Sequence, residues 1–247
     1  MRNLQDLSQQ AGTLAATAVI VTCLCFFPPA LRAQTLPELP VVAAEGFGPE
    51  VREQVRKAYA DAQSKPRDAQ ANGWLGMTLH TYEQYEFAAI CYERAHLLAP
   101  TEFRWAYYLG IVQAALGKQR EAAAAFKAAL RQEADHLPAQ LRLADALFAA
   151  GQLSESQQLY ETVIKRNAKI AQAHYGLGRI AAANNSQANQ TGQANQTVAI
   201  ERYRKAIELF PEYGAAHYAL GLALRDQGQT SQAQEHLARS QQLKLSQ

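Results

Sequence analysis

A leucine followed by glycine or alanine recurs at one interval through most of this chain. Leu75-Gly76, Leu109-Gly110, Leu143-Ala144 and Leu177-Gly178 stand 34 residues apart, and Leu220-Gly221 follows after 43, the same interval plus nine. A fixed period of this length means one repeated supersecondary unit, and each copy must bury its apolar face against its neighbours. The frame carries other positions with it. Small residues stand at Ala88, Ala122, Ser156, Ala199 and Ala233, and a ring or leucine at Tyr92, Phe126, Tyr160, Tyr203 and Leu237. Ala95, Ala129, Val163, Ala206 and Ser240 form a further series, and Pro100 and Pro211 close the first and fourth units.

Inside each unit the apolar spacing is that of a helix. Ala122, Phe126 and Ala129 fall at i, i+4 and i+7, the stripe of an amphipathic helix, and a similar stripe surrounds Leu109-Gly110. Between the two stripes Gly117, Gly151 and Gly228 share one place in the frame, where a helix ends in the left-handed conformation. Glu83 holds that place in the first unit and Asn185 in the fourth. Each unit is therefore expected to be helix, short turn, helix. With 48 alanines and 27 glutamines against only 17 valines and isoleucines, the composition excludes a β-sandwich or a parallel α/β sheet.

These positions resemble the tetratricopeptide repeat, with its 34-residue period and its W-x2-L-G, A-x3-F and closing-proline pattern. The resemblance spans five units over about residues 69–243 and implies an all-α, right-handed superhelix of paired helices. Three departures stand out. Asn72, Ala106, Gln140, His174 and His217 occupy the place of the family's large apolar residue, which is expected to weaken packing between helices. Ala134 and Ala168 replace the closing proline in the second and third units, and Glu83 replaces a turn glycine. By the same resemblance, the first helices would line a concave groove. That groove would hold Arg104, Tyr107 and Ile111, then Leu141, Asp145 and Phe148, then Tyr175 and Arg179, and finally Tyr218, Leu222 and Arg225. Tyr107, Tyr175 and Tyr218 share one repeat position and are expected to form a continuous strip, flanked by Arg104, Arg179 and Arg225. The lysine and asparagine pair with which one subfamily grips an acidic C-terminal tail is absent: Gly73 and Met77, or Tyr107 and Ile111, stand there.

The remaining segments frame the repeats. Leu14 to Phe27 is an uncharged run of 14 residues, shorter than the roughly 20 of a membrane-spanning helix. With Arg2 before it and Ala33 after it, residues 1–33 read as a secretory signal, the alternative being an uncleaved N-terminal anchor. Residues 34–48 read as a linker. A helix over 49–65, with Val51, Val55, Ala58, Tyr59 and Ala62 on one face, reads as half of a degenerate repeat that caps the solenoid of 66–247. The doubled Gln-Ala-Asn-Gln-Thr at about 186–197 reads as a polar flexible loop within the fourth unit.

Chemistry finds little purchase in this sequence. His80, His96, His136, His174, His217 and His236 fall into no metal-binding spacing, and neither a phosphate loop nor a nucleophile elbow appears. No cofactor, metal or catalytic residue is expected. After loss of the signal, Cys91 is the one cysteine left, read as a small buried thiol. A net charge of +2 spread along the chain does not build the basic stripe that nucleic acid needs. The sequence thus predicts a non-catalytic, exported scaffold that binds a peptide or helix of another protein. It leaves open self-association and a role as accessory subunit to a separately encoded envelope enzyme.

Overall fold

The structure of the protein, a computed structural model, describes residues 35–43, 46–187 and 192–245. Among them are eleven α-helices and no strands: α1 Pro49–Ser64, α2 Ala69–Thr81, α3 Tyr85–Leu98, α4 Phe103–Ala115, α5 Gln119–Leu130, α6 Leu137–Ala149, α7 Leu153–Arg166, α8 Ala171–Gln187, α9 Gly192–Leu209, α10 Gly214–Asp226 and α11 Thr230–Leu245. Successive helices pack against one another. The first helices α4, α6, α8 and α10 also touch in series, so they form a continuous row. This is an all-α repeat solenoid.

The pairing of helices follows from a small residue facing a ring. A β-carbon at Gly76 would lie 2.8 Å from the Tyr92 ring, at Gly110 2.6 Å from Phe126, and at Gly178 2.5 Å from Tyr203. The first helix has no room for a methyl group there, which explains the Leu-Gly signature. Alanine fills that place in the third unit, and Tyr160 lies instead against Gly176 of the next unit, where a β-carbon would come within 2.3 Å. The rings are almost fully buried, with Tyr92 and Phe126 at 1% exposure and Tyr160 at 0%.

The turns obey the frame even where glycine is missing. Gly117, Gly151 and Gly228 have φ of 74°, 79° and 77°, and Glu83 has φ of 58°. Glu83 is the one described non-glycine residue with positive φ, and its left-handed backbone costs about 1 to 2 kcal/mol. Its amide donates to the His80 carbonyl, and the next amide, of Gln84, to that of Leu79, so the helix end is satisfied as at the glycine turns.

Four expectations change. Asn185 does not end its helix, because α8 continues to Gln187. The stretch expected to be a loop is helical on both sides, with α9 already under way from Gly192, and residues 188–191 lie outside the described residues. Adding residues to an existing helix is cheap compared with nucleating one, and alanine and glutamine propagate it well. The Gln196 amide donates to the Ala223 carbonyl of α10, which anchors the new turn. The expected linker is likewise docked rather than loose: Pro40 is buried, Leu39, Val42 and Phe47 pack on the first core cluster, and Arg94 donates to the Pro37 carbonyl.

The fourth change concerns the polar residues in the family's large-apolar place. The Asn72 amide donates to the Pro66 carbonyl, Gln140 to Ala134, and the His174 and His217 rings to Ala168 and Pro211. In each case the acceptor is six residues upstream, in the turn that joins the unit to its predecessor. These side chains are 0% to 7% exposed. They tie the turn to the helix that follows it, so the packing expected to be weakened is replaced by a buried hydrogen bond.

The chain divides into Met1–Thr35 and Leu36–Gln247. The signal expected over residues 1–33 lies outside the described residues, and among those described no helix is long and apolar enough to cross a membrane. The α1 helix runs Pro49–Ser64, with Val55 and Ala62 buried.

Candidate functional site

The row of first helices carries one charged cluster that the sequence did not announce as a unit. Asp145 of α6 accepts from the Tyr160 hydroxyl at 2.7 Å and from the Gln172 amide at 2.7 Å, and pairs with Arg179 of α8 at 3.1 Å. Three donors, from α7 and α8, thus converge on one carboxylate of α6. The Arg179 guanidinium lies 3.9 Å above the Phe148 ring and 5.7 Å from that of Tyr175. Its side chain is 28% exposed, so the cation is held in place while remaining within reach of a ligand. Burial raises the Tyr160 phenol far above its ordinary value, and the Asp145 charge beside it adds to this, so the phenol stays a proton donor.

Asp145, Phe148, Tyr175 and Arg179, four of the residues assigned to the groove, are therefore neighbours, and Leu141 is buried in the same core cluster as Tyr160. The other expected groove residues have different neighbours. Arg104 is exposed, paired with Glu102 at 2.8 Å and set over the ring of Trp105. Ile111 and Tyr107 pack on the cluster around Phe126. Leu222 lines a small cleft with Gln196 and Tyr203, and Arg225 is exposed beside Asp226.

The three tyrosines differ in exposure. Tyr107 is half-buried against Phe103, with ring centroids 5.2 Å apart, and against His136 at 5.3 Å. Tyr175 lies against Tyr213 at 5.0 Å and Tyr203 at 5.8 Å. Only Tyr218 is open, at 48% exposure. His136 and Tyr213 occupy the same place in the frame, the last residue before the next first helix, and Ile170 stands there in the third unit, in the same cluster as Leu141. A ring or branched residue at that place covers the fifth position of its own unit. The repeat frame carries this signal too, and it makes Tyr213 the functional neighbour that the expected set omitted.

Elsewhere the polar groups look inward. The Cys91 thiol is 0% exposed, and burial pushes its pKa up to about 12. His217 and His236 meet through their Nδ1 atoms at 2.9 Å. Because His217 Nε2 faces a carbonyl and must donate, its Nδ1 accepts from His236. Among the described residues no group of three or more His, Cys, Asp or Glu side chains is placed to hold a metal ion.

Two family models match this architecture, one described as tetratricopeptide repeat over residues 113–180 and one as TPR repeat over 195–236. The chain carries tetratricopeptide repeats. Its fold is shared by a MamA structure from Desulfovibrio magneticus RS-1, at 23% identity over 72% of this chain and 96% of that one, with a TM-score of 0.58. It is shared by YrrB, described as a TPR protein with an unusual peptide-binding site, at 18% identity over 76% and 93%, with a TM-score of 0.54. A thermophilic TPR protein from Thermus thermophilus matches at 22% identity over 57% and 74%, with a TM-score of 0.54. At these identities the likeness is one of fold. No curated protein sequence matches the chain. Repeats of this family build protein–protein interaction scaffolds and are typically non-catalytic, and this chain has that architecture.

Proposed function

We propose that the face built by the first helices binds a peptide or helical segment of a partner protein, centred on Arg179 and the rings around it. The observation that carries this reading is the preorganisation of Arg179. Asp145 fixes its orientation and Phe148 supports its plane, so a ligand would not have to order the side chain on binding. Arginine and tyrosine together give large contact area with polar tips, the composition of interface hot spots. The peptide-binding site described for YrrB, which shares the fold, supports the same use of this one.

The reading also places the protein outside the cytoplasm, on the strength of Leu14–Phe27 and Ala33 alone. N-terminal sequencing of protein from its native host is expected to begin at or near Gln34, and intact Met1 in a soluble cytoplasmic fraction would overturn export.

Binding is tested by capture of partners from the native envelope fraction, followed by mapping of the bound segment with overlapping synthetic peptides. Arg179→Met keeps the aliphatic stem and removes the fork. It is expected to weaken the mapped peptide about tenfold or more with little change in Tm. Undiminished binding by a folded Arg179→Met variant would show that the peptide does not bind at this face.

A further inference from the structure

At the C-terminal end of the row lies a second feature, which adjoins the Asp145–Arg179 cluster at Tyr175. A cleft of about 700 Å³ opens between the start of α10 and the last turns of α11, within the range of ligand-binding pockets. Its apolar walls are aromatic. Phe210 and Tyr218 are 49% and 48% exposed, unusual for rings of this size, and Tyr175 and Tyr213 line the inner side.

The polar groups around the cleft are predominantly donors. Arg239 and Lys244 reach it from α11, against the single carboxylate of Glu212. The Lys244 ammonium lies 5.5 Å from the Tyr218 ring centroid, and Arg239 makes a long contact of 3.4 Å to Gln242. The α10 N-terminus begins at Gly214, and the Tyr213 side chain supplies no cap to it, so the positive end of the helix dipole also borders the cleft. Ser240 lines the cleft at 2% exposure, and its hydroxyl has no hydrogen-bond partner among the described residues. A buried hydroxyl in that condition costs free energy that a ligand acceptor would recover. The cleft thus offers aromatic walls, two cationic side chains and one unsatisfied hydroxyl together.

We propose that this cleft takes a large apolar side chain flanked by an Asp or Glu side chain within a segment of a partner protein. The ring or branched side chain would enter between Tyr218 and Phe210, and the carboxylate would meet Lys244, Arg239 and the end of α10. The proposal rests on the peptide-binding reading above and adds to it the chemistry of the segment bound.

The test is a random heptapeptide phage library panned against the full chain. Sequences with Asp or Glu next to Phe, Tyr, Trp or Leu are expected to be enriched. A consensus peptide, N-acetylated and C-amidated so that only side-chain carboxylates remain, is expected to bind the parent protein. Its Kd should rise about tenfold with the double variant Arg239→Glu, Lys244→Glu and by a similar factor with Tyr218→Ala, both with unchanged Tm because these residues are exposed. A consensus without acidic residues, or binding indifferent to these variants, overturns the proposal. Enrichment that is lost with Arg179→Met but kept with the α11 variants would retain the peptide-binding face and reject this cleft. No enrichment at all would reject both.

Discussion

Tyr107 and Tyr218 occupy the same place in their repeats and live in different surroundings. Tyr107 is enclosed by Phe103, Phe126 and His136, the last of these supplied by the turn into the next first helix. Tyr218 belongs to the last unit, is 48% exposed, and faces Lys244 across the cleft. A repeat position therefore has no fixed role. What it does depends on whether the last residue of its own unit, in the turn into a following helix, folds over it, and Tyr175, enclosed by Tyr203 and Tyr213, falls with Tyr107.

The largest effects should separate the enclosed rings from the open one. Tyr107→Ala and Tyr175→Ala each leave a void among packed rings and are expected to destabilise by about 2 to 4 kcal/mol, read from the midpoint of denaturant unfolding. A loss below about 1 kcal/mol at both would mean that these rings are free for ligand, in one strip with Tyr218. Next come the bonds that tie each turn to the helix it precedes. Gln140→Ala deprives the Ala134 carbonyl of a donor 2.6 Å away inside a joint between units, at about 1 to 2 kcal/mol. Equal stability of Gln140→Ala and the parent would show that this joint is held by packing alone.

Acid should act at both ends of the solenoid. Burial holds the imidazoles of His80, His96 and His236 below their ordinary 6.5, with Arg131 adding to this at His96, and His217 and Arg204 doing so at His236 against the opposing pull of Glu235. In that window the unfolded chain binds protons that the folded chain refuses, so stability rises with pH. Tm is expected to fall as pH drops through about 6.5 and to level off below the depressed folded values; a Tm that rises on acidification would contradict these environments. The smallest effect belongs to the open ring. Tyr218→Ala should change stability by no more than about 0.5 kcal/mol, and a larger loss would show that Tyr218 is covered after all.

Much of this was legible in the sequence because a 34-residue period fixes contacts that are local or one unit away. The Leu-Gly facing a ring, the helix spans and the left-handed turns, including Glu83, all follow from residues whose separation the frame sets. The same frame put Asp145, Phe148, Tyr175 and Arg179 on neighbouring first helices. It did not disclose that Tyr160 and Gln172 would join Asp145 from 15 and 27 residues away, since that required Tyr160 to lie against Gly176 rather than in its usual slot.

The amino-acid sequence by itself determined the solenoid: helix pairs of fixed length, small residues where rings must enter, and the order in which units stack. Only the tertiary structure decided which side chains remain available. It buried Asn72, Gln140, His174 and His217 against carbonyls of the preceding turn, docked the segment around Leu39 and Val42 onto the first unit, and continued two helices into the doubled Gln-Ala-Asn-Gln-Thr. Helix formation and pairing are set by periodicity, which a chain carries along its length. Exposure is set by what else packs on the same spot, and for Tyr107 that is a histidine 29 residues onward whose ring the period alone does not orient.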